Sequence, residues 1–273
     1  MITLPPNYGK DREEIIVQAV ASGQARISWA RLESTIDGHT GVFWVFADAL
    51  KLIIQDDKGS PNDVRVNVSA ATQQRIADIL GCLLLTPKLA DLMWAQARLR
   101  LTPSPQTITS STQAMIDHSK RVDDLIVKAK GGGLWAGELL CPVGKHWVID
   151  QALASKPGRA MNYGWSFEGA TYQGIKGEVC ASLMKDQHGQ YVRVIQGRGT
   201  QHDPSHADYS QVVVLASTDC SVDGAPMKLA DVLTSPDLAP LISHQGAISV
   251  LRQPGVPEET TRAGYVRLFN HEA

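Results

Sequence analysis

Residues 196–216, QGRGTQHDPSHADYSQVVVLA, are the stretch that best indicates the fold of the chain. Two histidines, two aspartates and a tyrosine fall between His202 and Ser210, and the strand-like run Val212–Leu215 follows at once. Rigid scaffolds often present a site as a polar loop beside a buried strand. We therefore expect this stretch to join a β-sheet and to carry a functional site.

The segments around this stretch have the two-residue period and β-branched content of strands. They are close together, and no helix-length segment lies between them to make a crossover, which predicts an antiparallel sheet. Residues 186–189, DQHG, read as a hairpin turn within it. The predicted strands are residues 145–149, 159–165, 177–185, 191–196 and 210–217.

The first half of the chain is dominated by helical signals. Ser69 and Thr86-Pro87 suit helix starts, and Gly23 and Gly81 suit helix ends. Two apolar segments, residues 25–32 and 41–54, suit either a strand or a helix. The predicted helices are residues 11–22, 69–80, 86–98 and 110–130, with two short ones at 229–233 and 238–242.

These patterns predict an α+β fold, in which a helical N-terminal part packs on a mainly antiparallel sheet from the C-terminal part. Residues 1–130 form the mainly helical part, and residues 131–250 form the β part that carries the candidate site. Residues 251–273 are predicted to be a loose tail, and the glycine run 131–133 a helix stop and hinge. We expect the parts to form one integrated domain.

Composition limits the class of protein. The 273 residues are 43% hydrophobic and 20% charged, with a formal charge of −2, which is typical of a soluble globular protein. No basic cluster stands out, which argues against a nucleic-acid or anionic-membrane partner. The first residues lack an apolar signal core and no apolar run is long enough to span a bilayer, so we expect a cytoplasmic protein. Export without an N-terminal signal stays open.

The four cysteines are far apart and form no CxxC pair, which argues against a zinc site made of thiolates. Free, buried thiols are the favoured interpretation for a chain of this size. The cysteines are Cys82, Cys141, Cys180 and Cys220.

A metal site is one hypothesis for the polar loop. His202, His206 and Asp208 are a sufficient ligand set for zinc or another divalent metal. Pro204 interrupts any helix that would align the two histidines, so only a loop could bring the three ligands together. Apart from such a metal, the sequence indicates no cofactor.

Acid–base or nucleophilic catalysis is the other hypothesis. His202 could act as general base with Asp208 as the group that orients it, and Tyr209 could assist. Cys180 could serve as a nucleophile across the sheet, although Glu178 would oppose its thiolate. Candidate substrate-binding residues are the cation, hydroxyl and aromatic side chains near these strands: Lys145, Tyr163, Trp165 and Ser210.

Several short motifs resemble a group of uncharacterised bacterial proteins. They are TPKLAD at 86–91, Gly144-Lys145 at a strand start, NYGW at 162–165 and DYS at 208–210. The resemblance implies a Gly-Lys strand, a Tyr-Gly-Trp turn and an Asp-Tyr-Ser strand entrance. It implies no activity, but it places His202, Asp208, Tyr209, Trp165 and Lys145 in one constellation. The chain departs from the pattern at Ser166, His206 and Gln211.

The function that these observations favour is a hydrolase acting on a cell-wall-like peptide or glycan through His202 and Asp208. The first alternative is a non-catalytic module that binds a small molecule, peptide or glycan, or that is purely structural. The second alternative is a metal-dependent or cysteine-dependent hydrolase. The sequence leaves the substrate and the oligomeric state open.

Overall fold

The computed structural model describes residues 1–107, 110–130, 137–168, 182–185 and 191–262. These residues form an α+β fold with mainly antiparallel sheets, as the sequence predicts. The α-helices in this part of the chain are α1 (Lys10–Ala21), α2 (Ala70–Leu80), α3 (Pro87–Gln96), α4 (Thr112–Lys130) and α5 (Leu229–Thr234). The strands are β1 (Trp29–Ile36), β2 (His39–Phe46), β3 (Lys51–Gln55), β4 (Pro61–Arg65), β5 (Cys82–Leu84), β6 (Leu99–Arg100), β7 (Leu140–Cys141), β8 (Lys145–Val148), β9 (Ala160–Phe167), β10 (Ser182–Lys185), β11 (Tyr191–His202), β12 (Leu215–Val222) and β13 (Ala225–Lys228).

Local capping sets the ends of α2 and α3 where the sequence predicts them. The Ser69 side chain accepts a hydrogen bond from the Thr72 backbone N–H, and Gly81 ends α2 in the left-handed conformation. Thr86 caps α3 in the same way and Pro87 occupies its first turn. Each cap satisfies a backbone group that the helix itself leaves unpaired.

The first sheet combines strands from both ends of the chain. Its order is β1-β2-β12-β13, and β5 also pairs with β12. Residues 25–32 and 41–54, which suit either a strand or a helix by sequence, both contain strands. β1 alternates buried and exposed residues, and β2 pairs with β1 at one edge and with β12 at the other. The N-terminal part is therefore helical with a strand contribution, and it shares a sheet with the C-terminal part.

The second sheet, of order β10-β11-β9-β8, positions the candidate site. Every residue of β9 is buried. Gly164 and Trp165 both have positive φ, 105° and 64°, yet they lie inside β9. The predicted Tyr-Gly-Trp turn is therefore wrong: the motif is an irregularity within a strand, at the point where Gly164 faces Lys145 of β8.

The strand predicted for residues 210–217 begins later, at Leu215. Residues 210–214 are buried but make only isolated bridges, such as Gln211 with Lys145 and Val212 with Asn67. The Lys145 backbone N–H donates to the Ser210 carbonyl oxygen at 2.7 Å, which draws this segment onto the start of β8 instead of into a ladder. The Asp-Tyr-Ser motif is accordingly a buried loop and not a strand entrance.

The last described residues are anchored on α2, contrary to the predicted loose tail. Gln253 N–H donates to the Gln74 side chain at 2.7 Å, and Arg252 pairs with Asp78 at 2.8 Å. The predicted hinge 131–133, the predicted hairpin turn 186–189 and residues 263–273 lie outside the described residues. Among the described helices, none is long and apolar enough to cross a bilayer. The described cysteines are free and buried, as expected: Cys82, Cys141 and Cys220.

Candidate functional site

A tight turn after β11 brings two histidines together. β11 ends at His202, and Asp203 then accepts hydrogen bonds from the backbone N–H and hydroxyl of Ser205, at 2.8 and 2.6 Å. The Tyr8 hydroxyl donates to the Ser205 carbonyl oxygen from α1's side of the loop. An aspartate side chain that accepts a hydrogen bond from the backbone N–H two residues later is a common feature of turns. The chain therefore reverses, and His206 returns to the side of His202.

The two imidazoles are stacked. Their ring centroids lie 4.6 Å apart and their planes are 14° from parallel. Trp147 of β8 meets both rings edge-on, with centroid distances of 5.6 Å to His202 and 6.4 Å to His206. Trp147 is fully buried and its indole N–H donates to the Val68 carbonyl oxygen at 2.9 Å, so the base of the pair is rigid.

His202 is the half-buried member of the pair, and His206 is exposed. Burial lowers the pKa of His202 below its ordinary value, and the charges of His206 and Lys145 lower it further. The nearby Asp208 carboxylate opposes this shift without reversing it. His202 is therefore neutral near pH 7, which is the form that can accept a proton.

A buried ion pair lies beside the histidines. The Lys145 ammonium donates to Oδ2 of Asp208 at 3.0 Å, and both side chains are largely buried. Oδ1 of Asp208 accepts from the backbone N–H and the hydroxyl of Ser210, at 2.8 and 2.5 Å. Burial alone would raise the pKa of Asp208, but Lys145 and Ser210 outweigh it and hold that pKa below its usual range.

The backbone of Asp208 is held as firmly as its side chain. The Asn67 side chain donates to its carbonyl oxygen, and its N–H donates to the Gln211 side chain at 2.6 Å. Both carboxylate oxygens are already engaged by Lys145 and Ser210. The described hydrogen bonds of Asp208 go to Lys145 and Ser210 and not to His202, so Asp208 is the counter-ion of Lys145 in this structure.

The predicted metal site is not assembled either. Among the described residues, no group of three His, Cys, Asp or Glu side chains is placed to hold a metal ion. His202 and His206 do lie together, but Asp208 faces Lys145 and Ser210.

Two predicted site residues belong to a separate apolar cluster. Trp165 and Tyr209 are buried and pack on His118 of α4, with ring centroids 5.8 and 5.4 Å from the imidazole. The Tyr209 hydroxyl accepts from the Gln106 backbone N–H at 2.9 Å. Trp165 therefore presents no open face to a ligand, and Tyr209 is turned away from the histidine pair. Ser210 is also buried, and its hydroxyl donates to Asp208 and not to a substrate.

Tyr163 lies in a constellation that sequence reasoning missed. It is buried, and its hydroxyl donates to Oδ1 of Asp91 at 2.6 Å, while Nε2 of His244 lies 2.7 Å from Oδ2 of the same carboxylate. Asp91 belongs to the TPKLAD motif, but 153 residues separate it from His244 and no spacing signal links them. Cys180, the candidate nucleophile, lies outside the described residues.

Comparison with known protein families, curated proteins and solved structures finds no match to this chain.

Proposed function

We propose that the protein is a hydrolase in which His202 is the general base. The observation that carries the proposal is the stacked pair of imidazoles, 4.6 Å apart, on a rigid tryptophan base. A proton on one ring disfavours a proton on its neighbour, since like charges at this distance repel. The pair therefore holds a neutral ring ready to accept a proton from water or from a substrate hydroxyl.

The two rings suit different steps of acid–base chemistry. The half-buried His202 has a lowered pKa and so remains a base at mildly acidic pH. The exposed His206 is accessible to solvent and can exchange the proton with water. A base that accepts a proton and a partner that returns it are the minimum for hydrolysis by activated water.

For the substrate, an uncharged polar group such as a peptide amide or a glycosidic bond fits best, as in a cell-wall peptide or glycan. The charge of Lys145 acts on His202, and Asp208 neutralises Lys145 at 3.0 Å. A site whose fixed charges cancel offers little attraction to a polyanion. A bacterial source and export by a route that needs no N-terminal signal are part of the same proposal, since a cell wall lies outside the cytoplasm.

A non-catalytic binding module is the second candidate. The side-chain bonds of Asp208 favour it, because they stay within the loop and the start of β8 and fix the shape of a surface without chemistry. The two candidates differ in whether a bound cell-wall fragment is cleaved.

The test incubates the whole protein with purified peptidoglycan sacculi and follows released fragments by mass spectrometry, which separates cleaved peptide bonds from cleaved glycan bonds. Replacing a general base lowers kcat/KM by about 10²- to 10⁴-fold, which is the loss expected for H202Q. H39Q is the matched control, since His39 pairs with Asp223 on a hairpin of the first sheet.

Three outcomes decide the question. Cleavage that fails in H202Q and persists in H39Q supports the proposal. It is also supported if kcat/KM falls on the acidic side as His202 becomes protonated, at a pH below the ordinary pKa of histidine. Cleavage that is equal in H202Q and the wild type overturns the role of His202. Binding of sacculi without any release of fragments overturns the hydrolase and leaves the binding module.

A further inference from the structure

A second set of ionisable side chains meets at Tyr163 of β9. We name it the Asp91 cluster, and it consists of Asp91, Tyr163, His244 and Arg198. Asp91 on α3 is buried and receives one short contact on each oxygen, from Tyr163 at 2.6 Å and from His244 at 2.7 Å. The His244 side chain is 26% exposed, so the cluster runs from the interior to the surface.

The contact with Asp91 decides which nitrogen of His244 is basic. Burial raises the pKa of Asp91, while its contacts with His244 and Tyr163 and the charge of Lys88 oppose that shift. When the carboxylate is ionised it only accepts hydrogen bonds, so Nε2 carries the proton in the neutral ring and Nδ1 carries the lone pair. Within the described part of the chain, Nδ1 has no hydrogen-bond partner. A histidine held in one tautomer by a buried carboxylate, with its other nitrogen free, is arranged to exchange a proton with a ligand.

Two cations lie near Tyr163 and Asp91. Arg198 of β11 pairs with the buried Asp150 at 2.8 Å, and the same carboxylate accepts from Gln245, the residue after His244, at 2.9 Å. The Arg198 side chain is 32% exposed, so part of its guanidinium fork faces solvent. Lys88, on the same helix as Asp91, donates to the Pro240 carbonyl oxygen just before the His244 segment. The charge of Lys88 acts on Asp91, and the charge of Arg198 acts on Tyr163.

We propose that the Asp91 cluster is a second acid–base site, which binds a small oxyanion against Arg198 and exchanges a proton with it through His244. The ligand is a phosphate or carboxylate group, because the planar fork of arginine matches both. When the ligand binds in its acid form, its O–H bond breaks and an Nδ1–H bond forms. The imidazolium that forms adds a positive charge to those of Arg198 and Lys88, which otherwise only balance Asp91 and Asp150. This site stands independently of the hydrolase proposal at His202.

The Asp91 cluster is tested by nuclear magnetic resonance of the histidine side chains in the full chain, with the His244 signal assigned from H244Q. In the wild type, ¹⁵N shifts must show the neutral His244 ring protonated on Nε2. Inorganic phosphate and acetate are titrated separately, which distinguishes a phosphate ligand from a carboxylate one. Either anion must shift the His244 signal saturably while the His202 signal stays in place.

Matched arginine variants complete the test. R198Q removes a charge-assisted hydrogen bond and should weaken binding about tenfold or more. R31Q, which removes an exposed arginine on β1 that pairs with Glu33, should leave binding unchanged. The proposal is overturned by a His244 ring protonated on Nδ1, by no saturable shift with either anion, or by equal binding in R198Q. H202Q should bind the anion normally, so failure at one site is distinguishable from failure at the other.

Discussion

Replacing Lys145 by methionine removes the positive partner of the buried ion pair while keeping the length of the side chain. Lys145 is 14% and Asp208 6% exposed in their side chains, and their contact is 3.0 Å long. In K145M, Asp208 keeps the two hydrogen bonds from Ser210 but loses its only counter-ion among the described residues. The variant therefore buries an uncompensated charge.

The magnitude follows from burial. Removing one partner of a buried pair costs about 3–5 kcal/mol in the free energy of unfolding, because the remaining charge stays desolvated. The bonds from Ser210 and the partial exposure of Lys145 place this case at the lower end, at about 3 kcal/mol. The free energy of unfolding of a folded domain is about 5–15 kcal/mol, so K145M should still fold but with a clearly lower stability.

The loss should depend on pH. In the wild type the pKa of Asp208 is held below its usual range, so its stabilising effect is present above the unfolded pKa and disappears as pH falls through the folded value. In K145M the burial of Asp208 is no longer opposed by Lys145, so its pKa rises. Asp208 is then protonated at a higher pH in K145M than in the wild type, which removes the unpaired buried charge. The difference in the free energy of unfolding between the wild type and K145M therefore narrows as pH falls from 7 toward 4.

Urea denaturation of four proteins measures this effect: the wild type, K145M, D208N and the double variant. The double variant should recover most of the loss, since no charge is left unpaired. K228M is the control, because Lys228 and Asp219 form an exposed pair, worth less than about 1 kcal/mol. An equal loss of stability in K145M and K228M, or a loss in K145M that is unchanged between pH 7 and pH 4, would contradict a stabilising buried ion pair.

Three further predictions concern single sites, and each is measured by urea denaturation. G144A should lose about 3 kcal/mol, because its new Cβ would lie 2.4 Å from the Ser210 carbonyl oxygen, and an unchanged midpoint would contradict that contact. S69A should lose about 2 kcal/mol, since the Thr72 N–H loses its cap and the buried Glu13 carboxylate loses the hydrogen bond from the Ser69 hydroxyl, and stability equal to the wild type would show that both bonds are dispensable. Burial lowers the pKa of His118 to about 4, below the value near 6.5 of the unfolded chain, so stability should fall by about 3 kcal/mol as pH drops through that window. H118F, which cannot titrate, should lack this contribution, and an identical pH dependence in both proteins would argue against it.

Some features of this protein follow from its sequence alone. The ends of α2 and α3 are set by Ser69, Gly81 and Thr86-Pro87, because a cap needs only its nearest neighbours in the chain. The polar loop at His202 is also visible in the sequence, since its turn is made by Asp203 and Ser205 two residues apart. Composition and strand spacing were sufficient to predict the α+β class.

The partners of the polar side chains were decided only by the tertiary structure. Asp208 is adjacent in sequence to residues that suggest a histidine partner, yet it pairs with Lys145, 63 residues away. Asp91 and His244 meet across 153 residues. Such pairs form where two sheets and their helices bury polar groups together, and each buried group must find a partner wherever packing places it. Periodicity reports which face a residue occupies, but not which distant residue lies opposite.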